Sequence, residues 1–257
     1  MHPTTNKTLP IDSPNWPIPD NVRAITTHRG TALSNNDYSS FNLGLHVHDN
    51  AEQVMQHRQA LKQSLNLPNE PHWLDQIHGT RIITLNKEQQ NPQADGSTTQ
   101  EYQHACVVLT ADCLPILITN TDGTQVAAVH AGWRGLLAGI VDRAIEQFHC
   151  PTKELLVWLG PCIGPLNFEI NATIRQQFIH SHSTWYESFQ QDTDGSWFAN
   201  LQQLAETRFQ ELGVHHIHKE TRCTFEHRNR FYSYRRDGQY TGRMAHAIWL
   251  EEPSRSG

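Results

Sequence analysis

The sequence predicts an α+β single domain in which a central mixed β-sheet sandwich is flanked by helices. Three observations lead there. Short apolar runs separated by turn signals recur in the middle of the chain, an amphipathic helical stretch follows one of them directly, and strands and helices mix without the steady beat of a parallel α/β fold. At 257 residues the chain is long enough to bury one substantial core without disulfide staples.

Taken in order, the elements are as follows. Prolines at 3, 10, 14, 17 and 19 rule out a regular helix in the first twenty residues, so 1–20 reads as an extended arm feeding a strand over 22–26. The catalytic domain is expected to span 21–252, with 253–257 as a flexible tail. Residues 105–109 form an apolar run, and a second run over 116–119 is separated from a third over 126–130 by Asp122-Gly123, a hairpin-turn signal. Over 133–148, Leu136, Leu137, Ile140, Val141, Ala144, Ile145 and Phe148 fall at helical spacing, with Asp142, Arg143 and Glu146 on the opposite face. A short strand over 155–159 closes in Gly160-Pro161-Cys162-Ile163-Gly164-Pro165. Periodicity gives helices over 172–180 and 201–212, the second ended by Gly213. Strand character returns at 231–234 and 244–249.

The formal net charge of −6 supplies no basic field for a nucleic-acid backbone or an anionic membrane. The longest apolar run, near Leu114 to Ile118, is far shorter than the roughly 20 residues that cross a bilayer. Five cysteines without a CxxC pair, and no secretory start, point to a reducing, cytoplasmic compartment. The expected partner is a small molecule, and the oligomeric state stays open.

With seventeen histidines in the chain, spacing rather than counting must identify a metal site. Three segments each place a metal ligand at the end of a predicted strand beside small or turn-forming residues: Gln76-Ile77-His78-Gly79, Ala111-Asp112-Cys113-Leu114-Pro115, and Val129-His130-Ala131-Gly132-Trp133-Arg134-Gly135. His78, Cys113 and His130 would give zinc three protein ligands and one open place, the catalytic pattern. On spacing alone the alternative is a pair of ordinary histidines and a buried structural cysteine. Gly132 and Gly135 serve either an anion-binding helix start or close packing.

These segments, with Phe41-Asn42-Leu43-Gly44-Leu45-His46-Val47, the 160–165 turn and Phe231-Tyr232-Ser233-Tyr234-Arg235-Arg236-Asp237, resemble the YfiH-like family, whose members are described as purine nucleoside phosphorylases, laccase-domain polyphenol oxidases and peptidoglycan editing factors. The likeness runs from about Arg23 to the end. It implies an α/β assembly around a sheet sandwich and zinc held by His78, Cys113 and His130. It also implies phosphorolysis of adenosine, inosine and methylthioadenosine, with deamination of adenosine. The alternatives it carries are a cytoplasmic amidase that edits UDP-muramyl peptide precursors of the cell wall and a copper-dependent polyphenol oxidase. Copper is disfavoured because such oxidases need closely spaced HisXHis ligand pairs, and neither His46-Val47-His48 nor His216-Ile217-His218 accompanies Cys113. The chain departs from the family pattern at His48, which precedes Asp49, and over Phe168-Glu169-Ile170-Asn171.

Roles follow with their alternatives. Asp112 acts as a general base, or orients a ligand, or caps its own turn. Arg134 clamps phosphate or is a solvated helix-end side chain. Arg235 and Arg236, with Asp237, suit an anion site or a salt-bridged strand end. Asn42, with Arg29 and Asp95, lies in matching segments and is placed near the substrate by the resemblance alone. His215, His216 and His218 form a second metal site or a solvated edge, and Cys162 is a nucleophile or a buried thiol.

Overall fold

The computed structural model describes residues 9–30, 38, 41–85 and 92–252. The first eight residues of the expected arm and the expected tail over 253–257 lie outside the described residues. The strands are β1 (Ile11–Asp12), β2 (Val22–Thr27), β3 (Ile82–Thr84), β4 (Gly96–Thr99), β5 (Cys106–Thr110), β6 (Leu114–Asn120), β7 (Val126–Ala131), β8 (Leu155–Leu159), β9 (Glu169–Ile170), β10 (Phe189–Gln191), β11 (Trp197–Ala199), β12 (His216–Lys219) and β13 (Met244–Leu250). The helices are α1 (Ala51–Ser64), α2 (Trp133–Leu137), α3 (Ile140–Ile145), α4 (Ala172–Ser181), α5 (Leu201–Glu211) and α6 (Tyr234–Asp237).

Two sheets stack. One runs β1-β2-β13-β5 and is antiparallel throughout; the other runs β12-β8-β6-β7-β4-β3, with parallel pairs only at its two edges. Successive side chains of a strand point to opposite faces, and both faces here are covered, so the central strands read as unbroken apolar runs rather than as alternations. In β6, Leu117 enters the layer between the sheets with Val108, Ala128, Trp158 and Ile248. Its neighbours Leu114, Ile116 and Ile118 face the opposite way, against Leu136 and Ile140 of the helical layer and Leu204 and Phe209 of α5. The outer face of the four-stranded sheet carries Val107, Ala245 and Trp249 under Phe41, Leu43 and Leu61. The result is the α+β sandwich flanked by helices.

The expected helix over 133–148 divides. Its apolar period continues, but Gly139 has φ of +89° and separates α2 from α3. The left-handed conformation is strained for a residue with a Cβ, so glycine permits the break. The expected strand over 231–234 is instead a buried loop over 231–233 that runs into α6 at Tyr234: Phe231 and Tyr232 fill the interior, and Ser233 caps α6 by accepting from the Arg236 N–H. Helix α1 carries little periodic signal, because its buried face is Val54, Arg58 and Leu61. Arg58 sits there by laying its guanidinium over the Trp73 ring at 3.9 Å and donating to the Leu43 carbonyl. Helices α4 and α5 fall where expected, each started by an asparagine that accepts a backbone N–H of its first turn, and the Asp122-Gly123 turn joins β6 to β7.

Truncating Leu117, which is wholly buried between the sheets, removes packing from both. Leu117→Ala is expected to lower unfolding free energy by about 2–5 kcal/mol in urea titration; a loss below about 1 kcal/mol would mean that the two sheets do not share one core.

Candidate metal centre

Sheet register assembles the site. Pairing of β6 with β7 sets Leu114 opposite Ala131 and Pro115 opposite His130, which brings Cys113, just before β6, to the end of the hairpin where His130 lies. Pairing of β4 with β7 sets Gly96 opposite Val129, so Asp95 arrives beside His130, and the His130 N–H donates to the Asp95 carbonyl at 2.7 Å. His78 comes from the turn ahead of β3 rather than from a strand end as expected. His78 is exposed, Cys113 half-buried and His130 buried; their ligand atoms all lie within 4.8 Å of one another, and they are the one such group of His, Cys, Asp and Glu side chains among the described residues. Nε2 of His78 is 3.9 Å from Sγ of Cys113. The imidazoles of His78 and His130 meet edge to face at 4.8 Å.

Two of the turns that present these ligands have strained backbones. His78 has φ of +59° and Asp112, next to Cys113, has φ of +93°. Each is held by a buried carboxylate. Asp95 accepts the His78 N–H at 2.8 Å and the Gly79 N–H at 2.6 Å, and Nδ1 of His130 is 2.9 Å from its Oδ1. Asp112 accepts the Thr224 hydroxyl at 2.6 Å, the Ser233 hydroxyl at 3.0 Å and the Arg235 N–H at 2.6 Å. Helix α2 starts hard against the ligands: a Cβ on Gly132 would lie 3.1 Å from Sγ of Cys113 and 3.2 Å from Cδ2 of His78. Close packing is what that glycine provides.

Electrostatics couple the three side chains. Burial pushes the Cys113 thiol up, but the charge of His130 and hydrogen bonds from both imidazoles outweigh it and bring its pKa down to about 6. Burial likewise opposes charge on His130, while the Cys113 thiolate and Asp95 raise it above the usual histidine range. Burial favours the neutral form of Asp95, yet His130 and the two backbone N–H groups hold its carboxyl below the usual range. A thiolate, an imidazole with Nε2 free of Asp95 and a second imidazole form a donor set that fits a borderline-soft divalent metal such as zinc.

The three ligands line a cavity of about 520 Å³ whose walls include His46, Trp133, Arg134, Phe168, Tyr234, Arg235 and Arg243. Arg134 lies 4.4 Å from the Trp133 ring, Arg235 lies 5.4 Å from Phe168 and Arg243 lies 6.0 Å from Tyr234. Arg235 also donates to the carbonyls of Asn167 and Glu169, and Arg243 to those of Thr241 and Gly242. His46 is kept uncharged at about pKa 4, first by desolvation and then by Arg243 and Arg58.

Of the residues singled out by sequence, the structure thus brings His78, Cys113, His130, Asp112, Arg134 and Arg235 to one cavity. Asn42 and Arg236 are not in its lining. The Asn42 amide is used between Gly44, Asp49 and the Arg243 N–H. The Arg236 guanidinium grips Asp237 and the carbonyls of Thr224, Phe225 and Phe231. Arg29 lies over Tyr232. His216 and His218 sit on the edge strand β12, and Cys162 is buried opposite Cys223, its thiol pushed up by burial. Arg243, Tyr234 and Phe168 were not assigned to the site by sequence: Tyr234 and Phe168 lie in segments that were noted without giving them a role, Arg243 lies in none, and it is the fold that puts all three in the cavity wall.

Comparison with known proteins places this geometry in a family. Residues 23–251 match the family model described as multi-copper polyphenol oxidoreductase laccase. The chain is 42% identical over 241 residues to the Haemophilus influenzae protein named purine nucleoside phosphorylase, covering 93% of this chain and 98% of that one. It is 41% identical to purine nucleoside phosphorylase YfiH of Escherichia coli, covering 92% and 97%. Among solved structures, Neisseria meningitidis protein NMB0706 superposes with a TM-score of 0.90 at 38% identity, covering 95% of this chain and 100% of that one. YlmD of Geobacillus stearothermophilus does so with a TM-score of 0.82 at 26% identity, covering 91% and 93%. The chain belongs to the laccase-like YfiH family.

Proposed function

We propose that this protein is a zinc-dependent purine nucleoside phosphorylase that also deaminates adenosine, acting on adenosine, inosine and methylthioadenosine with phosphate as the second substrate. The observation that carries the reading is the convergence of a thiolate and two imidazoles on a cavity bordered by three arginines and three aromatic rings. Near-complete alignment with relatives named purine nucleoside phosphorylase supports it. A volume of about 520 Å³ lies within the range of small-molecule sites, roughly 300–1,000 Å³.

Each part of the cavity has a task in this reading. Trp133, Phe168 and Tyr234 offer flat faces to a purine. Arg134, Arg235 and Arg243 supply charge-assisted donors that gather phosphate and neutralise the negative charge developing as the glycosidic bond opens. His78, Cys113 and His130 would hold zinc, which when bound supplies Lewis-acid polarisation of a substrate oxygen. Asp112 keeps Cys113 and the Arg235 backbone in register. The donor set favours zinc over copper: His46 lines the cavity wall, but among the described residues the convergent group is one thiolate and two imidazoles with no HisXHis pair in it. No helix among the described residues is long and apolar enough to cross a membrane, and a cytoplasmic site of action fits the reading.

The direct test incubates adenosine with zinc-loaded protein, with and without phosphate, and follows adenine, ribose phosphate and inosine. Ribose 1-phosphate formed only with phosphate is expected, and His78→Ala and Cys113→Ala should each lose at least about a hundredfold, from the several kcal/mol a metal contributes. Full activity in both variants would remove the metal from the reaction. Activity on a UDP-muramyl peptide with none on adenosine would favour the amidase reading.

The thiol chemistry gives a second check. Because the Cys113 pKa is lowered to about 6, its reactive thiolate is present above that pH and lost below it. In metal-free protein the rate of Cys113 alkylation by iodoacetamide, read by mass spectrometry, should reach half its plateau near pH 6 while Cys106, pushed up to about 12 by burial, stays unmodified. A midpoint above pH 8 would contradict the coupling with His130.

A further inference from the structure

The sequence offers no local reason to single out Asp95, yet it is fully buried directly behind the ligands. We infer that Asp95 is the positioning residue of the centre, a single carboxylate that sets both imidazoles, selecting Nε2 of His130 as its metal-binding atom and holding the turn that presents His78. Every side-chain hydrogen bond it makes among the described residues goes to the site: to Nδ1 of His130 and to the N–H groups of His78 and Gly79. Asp112, by contrast, spends its oxygens on the Thr224 and Ser233 hydroxyls and the Arg235 N–H and accepts from neither imidazole.

The chemistry follows from those bonds. A carboxylate accepts, so the proton of the neutral His130 ring resides on Nδ1, and the lone pair of Nε2 faces Cys113 and His78. A negatively charged acceptor also makes that imidazole a stronger donor to a metal. At the other ligand, the two N–H bonds hold the His78-Gly79 turn in a conformation that histidine adopts rarely, with φ of +59°. Helix α2 closes the back of the same turn, where a Cβ on Gly135 would come within 3.0 Å of the Gly79 carbonyl. Further fixation comes from the backbone, since the Asp95 carbonyl accepts the His130 N–H and the Asp95 N–H donates to the Arg81 carbonyl. The carboxylate therefore cannot move without moving a ligand. This role concerns the metal site itself and holds whichever reaction the cavity hosts.

The test is zinc affinity, measured by competition with a chromophoric chelator on folded protein that has been stripped and reloaded. Asp95→Asn keeps the size but cannot accept at all three donors, and it should weaken zinc binding by about 10–100-fold. Asp142→Asn removes a carboxylate that is paired with Arg208 between α3 and α5, and it should leave zinc affinity unchanged. Equal loss in the two variants, or none in Asp95→Asn, would overturn the inference. Should Asp95→Asn fail to fold, the unsubstituted zinc-loaded protein decides: long-range proton–nitrogen spectra are expected to show His130 protonated at Nδ1, and a ring protonated at Nε2 would refute the assignment.

Discussion

The register of three neighbouring strands is the constraint on which the rest of this molecule depends. Antiparallel pairing of β4, β7 and β6 brings Asp95, His130 and Cys113 together at one end of the six-stranded sheet. A one-residue slip would turn every side chain of a strand to its other face. That outcome is blocked by burial on both sides: the same strands send Leu117, Val126 and Ala128 into the sheet interface and Ile116, Ala127 and Val129 towards the helices. The core and the centre are thus specified by the same pairing.

Around that frame, the local backbone departs from ideal where ligands are presented. Left-handed conformations at His78 and Asp112 are unfavourable alone and persist because buried carboxylate hydrogen bonds over-determine them. The two carboxylates act on opposite sides of the centre. Asp95 ties His78 to the β4–β7 pair, whereas Asp112 ties the Cys113 turn to Thr224, Ser233 and the start of α6. The second tie also carries Tyr234 and Arg235 into the cavity wall, so the candidate ligands and the cationic lining are positioned by connected contacts.

How much of this could be read in the sequence follows from how local each signal is. The α+β sandwich and the segments bearing His78, Cys113 and His130 were legible, because apolar runs, a hairpin turn and ligand-bearing turns are properties of a few adjacent residues. Helix α1 was not, since an arginine packed under Trp73 replaces an apolar side chain in its stripe. The division of α2 from α3 was hidden because the apolar period persists across Gly139 and only its φ betrays the break. At 231–234, alternating aromatics imitated a strand, but the Ser233 cap and the burial of Tyr232 make a loop and a helix start. Asp95 and Arg243 could not be assigned roles, because what joins them to the site is register across dozens of intervening residues.

Within this laccase-like YfiH family fold, one sulfur and two nitrogens converge as a candidate metal site, with cations and aromatic faces lining the same cavity. The most direct measurement is X-ray absorption at the metal edge of the purified protein. The account predicts about one zinc per chain with one sulfur near 2.3 Å and two imidazole nitrogens at about 2.0–2.1 Å. A first shell of oxygen and nitrogen without sulfur, or a protein that retains no metal when reloaded, would contradict it.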